Sequence, residues 1–371
     1  MMARMARPTR REFLAQTAAT ASLAALPLRG LAQSEAPDTL KSAAASSGLL
    51  VGCCVHAKAL QQQPDYAALV KQQMSILVAE NEFKFAPLRP APTTFFFDDA
   101  DSIVHFAEQN GMKMRGHNFV WHRSLPPWFA TYVTPQNAEQ VLVNHIETVA
   151  GRYKGRIHSW DVVNEAIQVS DNLPNGMRNS PWQKVLPNYI DIAFRTARRV
   201  DPHAILTYND YDIEGEDAAS TAKRAAVHEL VRGMQKRGVP IDAVGIQSHI
   251  HAGPKDTYGP ALQQFMKDVQ GLGLKMMLSE MDVNDRDLPA DIPTRDKAVG
   301  ELYASYLKTT LSNKNVLALL TWGITDRSTW LNHEGARKDG QSERSLPFDA
   351  DLKPTPAFFA ELNALQQAPK R

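Results

Sequence analysis

The stretch "RIHSWDVVNE" at residues 156–165 does most to indicate the fold of this chain. An apolar pair, Val162 and Val163, lies at its centre, and an amide and a carboxylate, Asn164 and Glu165, end it. A short apolar run of this kind is a strand candidate. A carboxylate directly after buried valines costs free energy unless its charge is used. We therefore expect Glu165 to have a function where this strand ends.

Seven further stretches have the same short apolar form, which makes eight strand candidates in all. They are "LLVGCCV" (49–55), "SILVAEN" (75–81), "MKMRGHNFVW" (112–121), "AILTYND" (204–210), "DAVGIQSHI" (242–250), "LKMMLSEMD" (274–282) and "VLALLTWG" (316–323). Amphipathic segments at 99–111, 189–202 and 220–238 lie between them and predict helices.

Strands that alternate with helices predict parallel pairing through helical crossovers. Eight such units fit a single-domain (β/α)8 TIM barrel of the α/β class, which we place at residues 49–371. The alternative is a doubly wound open sheet, but no G-x-G-x-x-G motif follows any strand candidate. The charge-rich and proline-rich stretch 285–296 after the seventh strand predicts a solvated loop, and the alternative is that it forms a wall of the site.

The composition is that of an ordinary globular protein, with 371 residues, 43% hydrophobic, 22% charged and a formal charge of +1. This balance, without basic runs, gives no indication of a nucleic-acid partner. After the N-terminal region, no stretch is apolar enough to predict a membrane span. For a barrel of this kind we expect a monomer.

The N-terminus reads as a targeting segment rather than as part of the fold. Residues 1–32 combine four early arginines, a small apolar stretch and a small-residue cleavage site near Ala32, which predicts a signal peptide. "TRREFLA" (9–15) resembles the twin-arginine export motif, so we expect a periplasmic or secreted protein. The alternative is a disordered tail rich in arginine. Residues 33–48 are predicted to be a polar linker of small residues, with one helical turn as an alternative for part of it.

The only two cysteines, Cys53 and Cys54, are adjacent in the first strand candidate. Neighbouring strand residues point to opposite faces, so a disulfide between them would be strained. We interpret them as two buried small residues, and they cannot form a cysteine-based metal site.

Polar clusters follow nearly every strand candidate, at the end where a (β/α)8 barrel has its active site. Any one of them could be a helix cap, but seven in one chain indicate a site. Glu165 and Glu280 follow the fourth and seventh strands, and a pair of carboxylates flanking a sugar is what glycoside hydrolysis requires. Trp121, Trp322 and Trp330 offer flat faces for sugar rings, although an isolated tryptophan is more often a core or rim residue.

Eight motifs stand in order along residues 50–362. They are "ENEFK" (80–84), "RGHNFVWH" (115–122), "RYKGRIHSWDVVNEA" (152–166), "YNDY" (208–211), "GIQSHI" (245–250), "LSEMDV" (278–283), "TWGITD" (321–326) and a final "LPFD…KPTPAF". This series resembles family 10 of the glycoside hydrolases, the retaining endo-β-1,4-xylanases built on a (β/α)8 barrel.

The resemblance implies the following roles. Glu165 is the general acid/base, which protonates the leaving oxygen and then deprotonates water. Glu280 is the nucleophile, which forms a covalent glycosyl–enzyme intermediate. Asn164 hydrogen-bonds the sugar 2-hydroxyl.

The resemblance also implies supporting residues. His249 hydrogen-bonds the nucleophile, Asp282 orients His249, and Gln247 modulates the proton affinity of the acid/base. The remaining implied contacts are Glu80, Asn81 and Lys84 around the sugar two units toward the non-reducing end, His117, Trp121 and Trp322 around the cut, Trp330 from the loop after strand eight, and His122 at the third strand end. The sequence departs from the family pattern at Asn118, where a small or hydroxyl residue is common, and in "SEMDV", where "TELDI" is commoner.

The expected substrate is xylan or xylo-oligosaccharide, and hydrolysis of it needs no cofactor. The eleven histidines show no H-E-x-x-H spacing, so we expect no catalytic metal. Two alternatives stay open. One is a neighbouring β-1,4-glycanase specificity. The other is a non-catalytic sugar-binding protein on the same scaffold, against which the presence of both glutamates with their supporting residues argues.

Overall fold

The computed structural model of the protein describes residues 39–253 and 257–371. The signal peptide predicted over 1–32 lies outside these residues and stays a prediction. Within the described ranges, no helix is both long and apolar enough to cross a membrane.

Nine strands form one closed parallel barrel. In chain order they are β1 (Leu50–Val55), β2 (Ile76–Ala79), β3 (Lys113–Val120), β4 (Ser159–Asn164), β5 (Ile205–Asp210), β6 (Ala243–Ile246), β7 (His249–His251), β8 (Lys275–Asn284) and β9 (Val316–Thr321). Strands β1 to β6 pair in sequence, β6 pairs with β8, and β9 pairs with both β8 and β1, which closes the ring. The short β7 pairs with β8 and continues the sixth strand after a break at Gln247 and Ser248. Because β6 and β7 occupy one position in the ring, the barrel has eight strand positions, and the predicted (β/α)8 fold is confirmed.

The helices surround this ring. They are α1 (Leu40–Ser47), α2 (Ala57–Gln62), α3 (Pro64–Gln73), α4 (Phe85–Leu88), α5 (Asp98–Gln109), α6 (Phe129–Tyr132), α7 (Ala138–Arg152), α8 (Pro181–Val185), α9 (Tyr189–Val200), α10 (Ala218–Lys236), α11 (Pro260–Gly271), α12 (Ile292–Leu311) and α13 (Pro356–Gln367). The three predicted helices are α5, α9 and α10. Helix α10 begins after Asp217, whose carboxylate accepts from the backbone N–H groups of Ala219 and Ser220.

Two apolar cores lie on opposite faces of the barrel wall. The inner core contains Cys54, Ile76, Val78, Met277 and Leu320, whereas the outer core fills the space between the strands and the helices. Cys53 belongs to the outer core, and both thiols are free and buried, as predicted. Strands covered on both faces explain why the apolar runs of the sequence are nearly continuous.

Residues 40–47, which we predicted within a linker, instead form the two-turn helix α1. Leu40 and Ala44 are completely buried, and the backbone N–H of Arg371 donates to the carbonyl of Ser47 at 3.0 Å. The linker prediction is therefore wrong for this segment, because small residues such as alanine let the helix pack closely against the end of the chain.

The stretch 285–296 is also more structured than predicted. Helix α12 begins at Ile292, and Arg295 in its first turn forms two hydrogen bonds of 2.7 and 3.1 Å with the carboxylate of Asp285. Both side chains are almost completely buried. The two charges neutralise each other, so both side chains can be buried, although the charge content of this stretch predicted a solvated loop.

Candidate active site

A cleft of about 1000 Å³ opens at the carboxyl ends of the strands. Eleven of the predicted site residues line it: Glu80, Asn81, Lys84, Trp121, His122, Glu165, Gln247, His249, Glu280, Trp322 and Trp330. The other three, His117, Asn164 and Asp282, are buried behind this lining. Asn164 hydrogen-bonds to Glu165 and Asp282 to His249, while His117 Nδ1 lies 3.8 Å from Glu280 Oε1. The barrel thus brings the whole predicted set together from strands far apart in sequence.

Glu165 directly follows β4, where its backbone turns away from the barrel wall. Its φ of 57° lies in the left-handed region, and its N–H donates to the carbonyl of Asn209 at 2.9 Å. The carboxylate atom Oε1 accepts from Asn164 Nδ2 at 3.2 Å and from Gln247 Nε2 at 3.1 Å. Burial raises the pKa of Glu165 above its ordinary value, although the hydrogen bond from Gln247 acts in the opposite direction. This carboxyl is therefore adapted to hold a proton.

Glu280 lies in β8 and has the opposite electrostatic setting. Its Oε1 accepts from Asn209 Nδ2 at 2.6 Å, and its Oε2 lies 3.4 Å from His249 Nε2. Burial alone raises the pKa of Glu280, but the nearby His117 and the hydrogen bonds from His249 and Asn209 outweigh burial and lower the pKa to about 2. Glu280 is therefore ionised at neutral pH, as a nucleophile must be.

His249 is held between two carboxylates and an indole. Its Nδ1 lies 2.9 Å from Asp282 Oδ1, while Trp330 Nε1 donates to Asp282 Oδ2 at 2.7 Å. Burial lowers the pKa of His249, but the charge of Asp282 and the hydrogen bonds to Asp282 and Glu280 raise the pKa well above its ordinary value. A protonated His249 can donate to both carboxylates at once.

A chain of side-chain amides connects the two glutamates. Asn209 Nδ2 donates to Asn164 Oδ1 at 2.9 Å as well as to Glu280, and Gln247 Nε2 donates to Asn164 Oδ1 at 3.2 Å as well as to Glu165. Ser279 Oγ donates to Asn209 Oδ1 at 2.6 Å, which orients the Asn209 amide with its nitrogen toward Glu280 and Asn164.

Asn209 is one of the residues that sequence reasoning missed. It lies in the "YNDY" motif at the end of β5, so the signal was present, but no role was assigned to it. The neighbouring strand makes room for it with Gly245, where a Cβ would lie 2.0 Å from Asn209 Oδ1. The amide therefore depends on a glycine in the next strand of the barrel.

His117 takes part in a buried polar layer beneath Glu280. Its Nδ1 lies 2.9 Å from Asp161 Oδ2, and Arg115 forms a salt bridge with the same carboxylate. Among the described residues, His117, Asp161 and Glu280 are the one group whose possible metal-ligand atoms lie within 4.8 Å of one another. The carboxylate of Asp161 is already matched by a guanidinium and an imidazole, so this group reads as a hydrogen-bonded layer that supports Glu280.

Glu80, Asn81 and Lys84 form a second polar group, next to the ends of β1 and β2. Lys84 Nζ donates to Asn81 Oδ1 at 2.9 Å and lies 5.1 Å from the ring centroid of Trp121. His56, which the sequence analysis did not include, lies 2.7 Å from Glu80 through its Nε2 and also lines the cleft. Burial raises the pKa of Glu80, but the hydrogen bond with His56 and the nearby charges of His56 and Lys84 together outweigh burial and lower it.

The remaining predicted aromatic residues lie around the two glutamates. The ring of Trp322 meets His117 edge-on at 5.3 Å, and that of Trp330 lies 5.1 Å from His249. His122 Nδ1 lies 3.6 Å from Glu165 Oε2. Burial, together with the nearby charges of Arg178 and Arg123, lowers the pKa of His122 to about 3, so this imidazole is neutral beside Glu165.

Two buried carboxylates with opposite proton affinities, in one cleft of a (β/α)8 barrel, are the arrangement that glycoside hydrolases use. Comparison with known proteins gives the same class. The model of glycosyl hydrolase family 10 matches residues 39–364, and the chain belongs to that family. The family predicted from the motifs is therefore confirmed.

Individual relatives agree with this assignment. The chain is 37% identical over 323 residues to the thermostable celloxylanase of Thermoclostridium stercorarium, and the match covers 79% of this chain and 80% of that protein. The chain is also 31% identical to endo-1,4-beta-xylanase C of Paenibacillus barcinonensis. That match covers 87% of this chain but only 31% of the longer relative. The crystal structure of xylanase 10B from Thermotoga petrophila RKU-1 in complex with xylobiose has a TM-score of 0.80 and 32% identity, covering 89% of this chain and 97% of that one.

Proposed function

We propose that this protein hydrolyses internal β-1,4-xylosidic bonds of xylan by a retaining double displacement. The observation that carries the proposal is the opposite electrostatic setting of the two glutamates. Burial raises the pKa of Glu165, whereas histidines and an amide lower the pKa of Glu280 to about 2. One carboxyl can thus donate a proton while the other attacks as an anion.

In the first step, the carboxylate of Glu280 attacks the anomeric carbon of the sugar at the cut. A bond forms between that carbon and a Glu280 oxygen, the glycosidic C–O bond breaks, and the leaving oxygen takes the proton of Glu165. In this proposal Asn164, whose Oδ1 accepts from Asn209 and Gln247, hydrogen-bonds the sugar 2-hydroxyl next to Glu280.

In the second step, the ionised Glu165 takes a proton from water, and the water oxygen attacks the anomeric carbon. The ester bond to Glu280 breaks, the free carboxylate returns, and the product keeps its β-configuration. The protonated His249 and the Asn209 amide stabilise the departing carboxylate of Glu280, because both donate to it.

The preference for xylan rests on the likeness to xylanases and on the polar group at the ends of β1 and β2. Glu80, Asn81 and Lys84 offer both donors and acceptors to the hydroxyls of a neutral sugar two units from the cut. The xylobiose complex of the T. petrophila xylanase concerns that protein, and it supports the same substrate class here.

The proposal is tested by a product profile on xylan, xylohexaose and carboxymethylcellulose, together with proton NMR of the first product. We expect oligosaccharides from xylan and an initial β-anomer. Glu280→Ala should abolish turnover while the circular dichroism spectrum stays unchanged. An initial α-anomer, or near-normal activity of Glu280→Ala on xylan, would refute the mechanism, and an absence of hydrolysis with sugar binding retained would indicate a binding protein.

We further propose that the protein acts after export. The support is the twin-arginine pattern at 9–15 together with the signal-peptide composition of 1–32. Fractionation of cells that express the whole chain, and a variant with Arg10 and Arg11 replaced by lysine, test this. Retention of the lysine variant in the cytoplasm is the expected result, and unchanged export would exclude the pathway.

A further inference from the structure

Glu165 has a backbone conformation that a glutamate rarely adopts. Its φ of 57° lies in the left-handed region, where the Cβ of an ordinary residue is crowded. Such conformations persist only when the surrounding structure fixes them, and they cluster at functional sites. The groups that fix this backbone therefore determine where the carboxyl of Glu165 points.

One side chain fixes the carbonyl group of Glu165. Arg178 Nε donates to the Glu165 carbonyl oxygen at 2.7 Å, and the Arg178 backbone N–H donates to the Ala166 carbonyl, also at 2.7 Å. On the opposite side, the N–H of Ala166 donates to the hydroxyl of Tyr208 at 3.1 Å. The peptide that follows Glu165 is thus held by Arg178 on its carbonyl side and by Tyr208 on its amide side.

The rest of the Arg178 guanidinium is bound too, so its position is itself well defined. Nη2 donates to Tyr211 Oη at 2.9 Å, to Gln168 Oε1 at 3.2 Å and to the Ile167 carbonyl at 3.4 Å. Tyr211 lines the cleft, and Gln168 belongs to the loop that follows Glu165. The planar guanidinium, with donors in fixed directions, can join these groups, which the single ammonium of a lysine cannot do in the same geometry.

We propose that Arg178 is a positioning residue for the proton transfer by Glu165, which holds the left-handed backbone that aims the carboxyl at the leaving oxygen. The proposal rests on the function of Glu165 proposed above. Arg178 itself acts through the Glu165 carbonyl and the loop 167–178 rather than on the bond that breaks.

If Arg178 positions Glu165, the loss of activity in its variants depends on the leaving group of the substrate, whereas general damage to the fold lowers activity on every substrate. Sugar leaving groups need protonation, whereas 2,4-dinitrophenolate leaves without it, so misplacing the acid affects the two substrates differently. The experiment compares kcat/KM on xylohexaose and on 2,4-dinitrophenyl β-xylobioside for wild type, Arg178→Ala, Arg178→Lys and Glu165→Ala. Arg195→Ala is the matched control, because Arg195 also donates to two backbone carbonyls but on the outer surface of the barrel.

We expect Arg178→Ala to lower kcat/KM on xylohexaose by about 10- to 100-fold, the scale of a misplaced catalytic group, and to change the aryl substrate by less than about threefold. Arg178→Lys should recover part of the loss, and Arg195→Ala should lose nothing. Equal losses of Arg178→Ala on both substrates, or no loss on xylohexaose, would overturn the proposal. If Arg178→Ala does not fold, the same comparison is read from Arg178→Lys.

Glu165→Ala separates this inference from the function on which it rests. If Glu165→Ala keeps kcat/KM on the aryl substrate while Arg178→Ala lowers it, only the role of Arg178 is wrong. If Glu165→Ala affects both substrates equally, the assignment of Glu165 as the acid is wrong, and the proposed function fails with it.

Discussion

The amide of Asn209, from β5, donates to Glu280 Oε1 in β8 across 2.6 Å, although β6 lies between the two strands. The same nitrogen donates to Asn164 Oδ1 at the end of β4. A single side chain thus connects the nucleophile with the residue that we expect to bind the sugar 2-hydroxyl.

Asn209→Ala should move the acid limb of the pH profile to higher pH. The hydrogen bond from Asn209 lowers the pKa of Glu280, so its loss raises that pKa, and Glu280 must be ionised to attack. We expect kcat/KM on xylan at pH 6 to fall by roughly 10-fold or more, the scale of one lost oxyanion-type donor. The measurement is kcat/KM against pH, with Ser279→Ala as a milder variant that frees only the orientation of the amide. An unchanged acid limb would contradict the role of Asn209.

Gln247→Leu should move the alkaline limb, also to higher pH. The hydrogen bond from Gln247 favours the charged form of Glu165, so without this bond the pKa of Glu165 rises further above its ordinary value. Because Glu165 must be protonated in the first step, activity then persists to higher pH before it is lost. The pH profile of kcat/KM on xylohexaose measures the shift. A shift to lower pH would show that Gln247 acts on Glu165 in some other way.

Asp282→Asn should make activity fall as the pH rises through neutrality. The carboxylate of Asp282 raises the pKa of His249, which burial alone lowers, so the variant lets His249 lose its proton at a lower pH. At higher pH the neutral His249 then no longer stabilises the departing carboxylate of Glu280 as a charged donor. We expect a small loss at pH 5 and a larger one at pH 8, measured as the ratio of kcat to that of wild type. Equal losses at both values would mean that Asp282 supports only the geometry of the site.

Glu361→Gln should stabilise the protein at alkaline pH. Glu361 in α13 is completely buried, neither of its carboxylate oxygens has a hydrogen-bond partner among the described residues, and burial raises its pKa to about 8. An acid with a raised pKa contributes stability that is fully present below its ordinary value of 4.5 and is lost as the pH rises through about 8. At pH 9 the neutral glutamine should be more stable than the ionised glutamate by on the order of a few kcal/mol.

Thermal unfolding of wild type and Glu361→Gln at pH 5 and pH 9 measures this difference. Glu301→Gln, at an exposed position on α12, keeps Glu361 and is the control, so its melting temperature should follow that of wild type at both pH values. If the melting temperature of Glu361→Gln falls with pH as steeply as that of wild type, then Glu361 is not the group responsible.

The order of strands and helices could be predicted because each barrel strand is an apolar run with buried faces on both sides.

The break in the sixth strand could not be predicted from the sequence. "DAVGIQSHI" reads as one strand, but Ser248 adopts a φ of 65°, and only then does the chain resume pairing with β8. The local sequence does not predict this backbone conformation of Ser248. It is stabilised by a residue distant in sequence, Glu214, whose carboxylate accepts from the Ser248 N–H at 2.7 Å.

The residues of the candidate site were predicted best where a motif contains a side chain with an evident chemical use, such as a carboxylate. The roles of Glu165 and Glu280 remain predictions, but the structure brings both to one cleft with the expected neighbours. Partners that act through orientation, such as Asn209 and Arg178, were not predicted, because only distances in the folded chain show which groups they hold. His56 is a similar case, since its contact with Glu80 joins two strand ends.

The bond from Trp330 to Asp282 has a consequence for changing the specificity of the cleft. Trp330 lies in the loop after β9, where an engineer would insert or exchange residues to admit other sugars. Its indole N–H holds Asp282, which holds His249, which in turn contacts the nucleophile. Remodelling of that loop therefore alters reactivity together with selectivity unless a donor toward Asp282 is kept, and libraries built on this scaffold should fix position 330 while the residues around it are varied.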